Sequence, residues 1–344
     1  MAIATAQDVA RRVGCSTTAI SLVVNGRDAG RVSPELRARI LDAVDALNYA
    51  PNAQAQGLAS SHPNQVSLLC PDIRNPFFSE LFHGLTDALA PDFSVNIVVG
   101  TENFDYGPAA VRQVQANKIS GLILASPSAR VLESLRPAGP TVLIDSLAVL
   151  PGVPTVNPDV RGAATDLAEH LLRLGHRQVV YLDVDRAKET FHLRRTVINA
   201  ALTTGGGTMT VDRVRVADIA TATDYAEAHA RGWVATGVTA IVCADDLIAY
   251  GVLLGAAAAG VNVPAQLSVS GFNDLQFSAL TNPALTTVDF NARALGTAAG
   301  RTLRERVETG QADNVIWRSR LVVRASTGVA LTHAALATPG TLHV

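Results

Sequence analysis

Apolar positions follow two different periods along this 344-residue chain. Over the first 48 residues the period is helical. Thr5 and Asp8 have capping-box spacing and open a helix that ends at Gly14. Ser16 caps a second helix, from Thr17 to about Asn25, and Asn25-Gly26 marks the turn after it. Ser33-Pro34 supplies a cap and a first-turn proline for a third. There Leu36, Ile40, Val44 and Leu47 share one face, which Val9, Val13, Ile20 and Val24 can meet. From Ser67 onward the pattern changes to short continuous apolar runs, as expected of strands buried on both faces. They begin near Ser67, Asn96, Gly121 and Thr141, then near Val179, Arg213, Ala240 and Leu267, with helical stretches between them. The longer gap after the fourth run divides the series into four plus four. This predicts an α/β fold of two doubly wound lobes with parallel sheets, behind a small all-α helix-turn-helix headpiece. A strand over 287–290, a helix over about 291–308 and short runs near Val315 and Leu321 must return to one lobe or the other.

The expected organisation is a headpiece over 1–50, a hinge or linker over 51–64, a two-lobed domain over 65–330 and a loose tail over 331–344. The hinge is short, bounded by prolines and uncharged, so a helix there needs a partner to form. No stretch is apolar enough to span a membrane or to serve as a signal sequence, so a cytoplasmic protein with no membrane partner is expected. Cys15, Cys70 and Cys243 lie far apart, without metal-ligand spacing, and no metal or other cofactor is expected. The net charge of −2 supplies no global field for nucleic acid, so any DNA contact must be local. Residues 1–64 hold six arginines against five acids.

Ligands of open parallel sheets bind beyond the carboxyl ends of the strands. Those ends read Asp72, Thr101, Ser126 and Asp145 in the first lobe, and Asp183, Asp218, Asp245 and Asn273 in the second. Two such rims facing each other make a cleft for a small polar solute, although the same residue types also serve as ordinary helix caps. Nucleotide-binding, hydrolase and metalloprotease signatures are missing, and His170 and His176 read as structural. In the headpiece the second helix presents Thr17, Thr18, Ser21 and Leu22 on its open side. Short hydroxylated side chains there suit insertion into a DNA groove.

Ordered motifs run through nearly the whole chain: Thr5-x-x-Asp8-Val9-Ala10, Gly14-Cys15-Ser16, Ser21-x-x-x-Asn25-Gly26, Leu47-Asn48-Tyr49-x-Pro51-Asn52, Pro71-Asp72-Ile73-x-Asn75-Pro76-Phe77-Phe78, Leu174-Gly175-His176-Arg177, Ala244-Asp245-Asp246, Ser270-Gly271-Phe272-Asn273-Asp274 and Leu321-Val322-Val323-Arg324. With these the chain resembles the LacI/GalR family of transcription regulators. The resemblance implies a homodimer that binds double-stranded operator DNA, with a periplasmic-binding-protein-like core for a small sugar-like effector. It implies that Thr17, Thr18 and Leu22 face bases, that Thr5, Ser16, Ser21 and Asn25 hold phosphates, and that Leu58 wedges into the minor groove. For the effector it implies Asp72, Phe77, Phe78, Arg194, Asp245 and Asn273.

The chain departs from the family pattern at several places. Leu22 stands where many relatives carry arginine, Gln56 replaces a frequent arginine, and Asn273 replaces the usual aspartate. Ile219 occupies a place often aromatic, and the stretch after Arg194 lacks its usual glycine. The reading adopted is a repressor and not an enzyme. A solute-binding protein without regulatory output is the alternative, and it leaves the first 48 residues unexplained.

Overall fold

The computed structural model describes residues 4–24, 26, 28–49, 64–100, 105–185 and 189–331. Asn25, Leu58 with the rest of segment 51–63, Thr101 and the tail beyond Leu331 lie outside the described residues. The chain divides into two compact units, residues 1–64 and 65–344.

The first unit contains α1 (Ala6–Val13), α2 (Thr17–Val24) and α3 (Pro34–Ala46). Each start follows the cap chemistry in the sequence. The Asp8 amide donates to Thr5 Oγ1 at 3.3 Å while the Thr5 amide donates to Asp8 Oδ2 at 3.0 Å, a reciprocal capping box. Ser16 accepts from the Ala19 amide and Ser33 from the Leu36 amide, each at 3.2 Å. Gly14 ends α1 at φ 73°, a left-handed position where glycine carries no steric cost. Val9, Val13, Ile20, Val23 and Ile40 form the small core, with Leu36, Val44 and Leu47 half-buried around it.

The second unit has two six-stranded sheets. The first runs β2 (Ser94–Val99), β1 (Gln65–Cys70), β3 (Gly121–Ala125), β4 (Thr141–Ile144), β5 (Thr155–Pro158) and β11 (Val315–Trp317), all parallel. The second runs β7 (Thr208–Val214), β6 (Gln178–Val184), β8 (Ala240–Cys243), β9 (Ser268–Phe272), β10 (Thr286–Asp289) and β12 (Arg320–Val322). Only β12 is antiparallel, to β10. Both sheets thus have a doubly wound order, with reversal points beside β1 and β6 where ligand crevices form. The connecting helices are α4 (Pro76–Leu89), α5 (Gly107–Ala116), α6 (Ala129–Ser134), α7 (Val160–Arg173), α8 (Glu189–Thr204), α9 (Ile219–Ala235), α10 (Asp246–Ala258) and α11 (Ala292–Thr309).

Three expectations need correction. The first lobe has five strands in its main series, not four, while the strand expected over 287–290 is β10, the fifth of the second lobe. β5 escapes the apolar pattern because it is four residues long, follows Pro154 and ends in Pro158. β7 begins at Thr208, five residues before the run at Arg213, because an edge strand alternates exposed and half-buried positions instead of running apolar. The C-terminal elements do not return to one lobe. α11 and β11 join the first while β12 joins the second, so the chain passes between lobes after β5, after β10 and after β11.

Candidate functional site

In the first unit, Ser16, Thr17, Thr18 and Ser21 are exposed and Leu22 is half-buried. Ile20 and Val23 turn inward. α2 carries no charged residue, so its open face offers hydroxyls, methyls and the partial positive charge of a helix N-terminus. Thr5 is exposed, but its hydroxyl is already engaged. It donates to Asp8 Oδ2 at 2.6 Å as well as accepting within the box. The Asn25 and Leu58 expectations fall outside the described residues.

In the second unit a cleft of about 420 Å3 opens at the carboxyl ends of the strands. All six residues named from the sequence line it: Asp72, Phe77, Phe78, Arg194, Asp245 and Asn273. Asp72 follows β1. Its two oxygens are held by the Arg74 guanidinium at 2.9 and 3.0 Å. Phe77 and Phe78 open α4, which Asn75 caps by accepting from the Phe77 amide at 3.0 Å. Their rings pack edge to face with centroids 5.3 Å apart.

Asp245 joins the lobes. Its Oδ1 caps α10 through the Leu247 amide at 2.8 Å. Its Oδ2 accepts Asn75 Nδ2 from the first lobe at 3.0 Å and Asn273 Nδ2 at 2.7 Å. Burial raises its pKa, while these hydrogen bonds and the nearby Arg194 charge oppose the rise. The contact also accounts for asparagine at 273. An aspartate there would set a second carboxylate against Asp245, and like charges in one buried site repel.

A second link crosses at Asp145, whose Oδ2 accepts Ser126 Oγ at 2.6 Å and Thr190 Oγ1 of the second lobe at 3.2 Å. Ser126, Asp145 and Asn273 all have positive φ, at 44°, 52° and 114°. Such backbone strain at adjoining strand ends is characteristic of ligand sites.

Arg194, on α8, is 3% exposed. One Nη donates to the Ala244 carbonyl at 2.7 Å. The guanidinium carbon lies 4.5, 5.0 and 4.8 Å from the ring centres of Phe191, Phe272 and Phe290. Its neighbour Arg195 takes the other course and pairs with buried Asp183 at 2.5 Å.

Two rim residues read from strand ends do not line the cleft. Asp183 is buried against Arg195, and Asp218 caps α9 through the Thr221 amide at 2.7 Å. Because β6 and β7 run on to Val184 and Val214, Asp185 and Arg215 take their places. Ile219 is also away from the cleft. Asn75, Asp185, Phe191 and Arg215 are lining residues the strand-end rule misses, since they lie beyond strands or on helices. Ser126 and Asp145 were legible as rim residues. His176 is structural, bonded to Thr239 Oγ1 at 2.9 Å and the Gly328 carbonyl at 3.0 Å, and burial lowers its pKa to about 4. Among the described residues no group of side chains is placed to hold a metal ion, and no helix is long and apolar enough to cross a membrane.

Comparison with known proteins matches residues 5–52 to the lacI family of bacterial regulatory proteins. It matches residues 63–324 to the periplasmic binding proteins and sugar binding domain of the LacI family. Catabolite control protein A of Priestia megaterium is 29% identical over 91% of this chain and 95% of its own length. An HTH-type regulator in the aml 5′ region of Streptomyces limosus is 30% identical over 93% of each chain. The lac repressor dimer bound to operator and an anti-inducer superposes with a TM-score of 0.76 at 24% identity, over 95% of this chain and all of that one.

Proposed function

The chain belongs to the LacI family of DNA-binding transcription regulators, and on that premise we propose a repressor that binds a near-palindromic operator as a homodimer and responds to a sugar or sugar derivative. The observation that carries this is the pairing, in one chain, of an uncharged hydroxyl-bearing helix face with a built polar cleft between two lobes. Thr17, Thr18 and Leu22 read bases, and Ser16, Ser21 and Asn25 hold phosphates, joined by Thr5 when its hydroxyl turns from Asp8 to the DNA. The helix N-terminus favours such anions. Asp72, Phe77, Phe78, Arg194, Asp245 and Asn273 hold the effector. The headpiece is residues 1–50, the hinge 51–64 and the core 65–330. Relatives that are regulators rather than enzymes support a binding role. The likeness to the lac repressor dimer supports the homodimer. So do Leu254, Phe277 and Leu280, large apolar side chains left exposed. Control of DNA binding requires the effector to favour one state of the core, by typically about 1–3 kcal/mol.

Operator selection from a random DNA pool tests the reading. Leu22 has no hydrogen-bonding group and favours a thymine methyl, whereas arginine favours guanine. Leu22→Arg is expected to select a different sequence while still binding DNA. Selection of one operator by both proteins would remove Leu22 from the base-reading set.

The hinge is tested separately. Leu58→Ala should weaken operator binding about tenfold or more while changing non-specific binding little, because a wedge acts only on kinked DNA. Equal loss on both DNAs, measured at one salt concentration, would argue against a wedge.

A further inference from the structure

The hydrogen-bonding capacity left over in the cleft is unequal. Its inner carboxylates already accept donors from the protein. Both Asp72 oxygens face Arg74, Asp245 takes one backbone and two side-chain donors, and Asp145 takes two hydroxyls, both on Oδ2. These bonds reduce the acceptors left there for the hydroxyl hydrogens of a neutral sugar.

Arg194 is in the opposite condition. It is 3% exposed, yet no carboxylate among the described residues forms an ion pair with it. One Nη is committed to a carbonyl, and Nε, fully buried, makes no hydrogen bond. Three aromatic rings and the nearby Asp245 offset part of the charge without accepting a hydrogen bond from it. Buried charges in proteins are ordinarily paired. Arg194 makes no salt bridge between the lobes, since Arg195 makes the only ion pair of α8 among the described residues.

We propose that the effector carries a carboxylate that pairs with Arg194, which makes the ligand class a sugar acid or a hydroxy-carboxylate of similar size. The inference rests on the cleft being the effector site. A carboxylate matches the planar guanidinium fork and forms charge-assisted hydrogen bonds with it. The surrounding charge selects a monoanion. Asp245 and Asp145 face the same space, so a doubly charged phosphate would meet more repulsion than one guanidinium offsets. At the mouth, exposed Arg215 and Asp185 both line the cleft, one charge of each sign. The anion therefore belongs at the inner end. Phe77, Phe78 and Phe191 supply apolar walls for the carbon face of the ligand.

The test is calorimetry at pH 7 on the full-length protein. The probes are glucose, galactose, gluconate, glucuronate, galacturonate, glucuronamide and glucose 6-phosphate. At least one acid is expected to bind about tenfold or more tightly than its neutral counterpart. The comparison of glucuronate with its amide needs no variant. Arg194→Gln should abolish the preference and Arg194→Lys should keep part of it, with circular dichroism and melting confirming that each variant folds. The proposal is overturned if a neutral sugar or the phosphate binds as tightly as any acid, if the preference survives in Arg194→Gln, or if no acid binds at about 10 mM, beyond the usual range of effector affinities. A neutral sugar that binds and shifts operator affinity would overturn the carboxylate alone and leave the broader reading standing. A probe whose affinity neither Arg194→Gln nor Asp245→Ala changes would remove the cleft itself as the effector site.

Discussion

Valine at Gly84 is expected to lower the stability of the two-lobed unit by about 3 kcal/mol or more, at the upper end of overpacking costs. Here α4 and α11 approach backbone to backbone. A Cβ on Gly84 would fall inside contact distance of the Arg293 carbonyl oxygen, and one on Gly296 would meet the Leu81 carbonyl oxygen in the same way. No flexible side chain can yield, so the helices must separate. That strains the Asp87–Arg293 and Asp92–Arg304 ion pairs, at 2.7 and 2.5 Å, which tie α11 to α4 and to the turn that follows it. The control is Gly139→Ala, where an added methyl meets nothing within 4 Å. It should stay within about 0.5 kcal/mol of the parent. Urea unfolding of the full chain, followed by the tryptophans of the two-lobed unit, measures both. A Gly84→Val midpoint equal to the parent's would show that the helices tolerate separation.

The second large effect concerns Asp246, which is fully buried below the cleft. It accepts the Leu275 amide and Ser278 Oγ, each at 2.8 Å, and Thr287 Oγ1 at 2.6 Å. Gly271 leaves room for it, since a Cβ there would collide with its Oδ1. Asp246→Ala strands these donors and should cost about 3 kcal/mol or more. Asp246→Asn should behave differently. Burial pushes the Asp246 pKa up to about 8, with the neighbouring Asp245 adding to the rise. The folded protein then holds a proton that the unfolded chain releases above about pH 4. Wherever the folded state binds more protons, stability falls as pH rises. The parent should therefore lose stability between about pH 4 and about pH 8. Asparagine mimics the neutral acid, keeping one acceptor for the Leu275 amide and offering a donor to Thr287 Oγ1. It should remove that part of the slope. Thermal melting at pH 5 and pH 8 compares the two proteins. Parallel shifts would mean that Asp246 is ionised in the folded state.

The division between what the sequence determined and what the tertiary structure decided follows the range of the interactions. The three headpiece helices were legible because their boundaries are set by neighbours. Thr5 and Asp8, Ser16 and Ala19, and Ser33 and Leu36 are each three residues apart. The two-lobed order was legible because strands buried on both faces must be continuously apolar, as β1, β3, β4, β6, β8 and β9 nearly are. Where that rule lapses, at short β5 and edge strand β7, the pattern did not reveal the element or misplaced it. Polar residues at strand ends placed Asp72, Asp245 and Asn273 as candidates, and the family resemblance added Phe77, Phe78 and Arg194. Neither could say how each is used. Asn75 and Asp245 are 170 residues apart and meet only because two lobes face each other. The same facing gives Thr190 to Asp145. By residue type alone the two adjacent arginines on α8 are alike, and only the resemblance singled out Arg194. Packing assigns Arg195 to a buried carboxylate and Arg194 to a cage of three rings, because successive residues on a helix point about 100° apart.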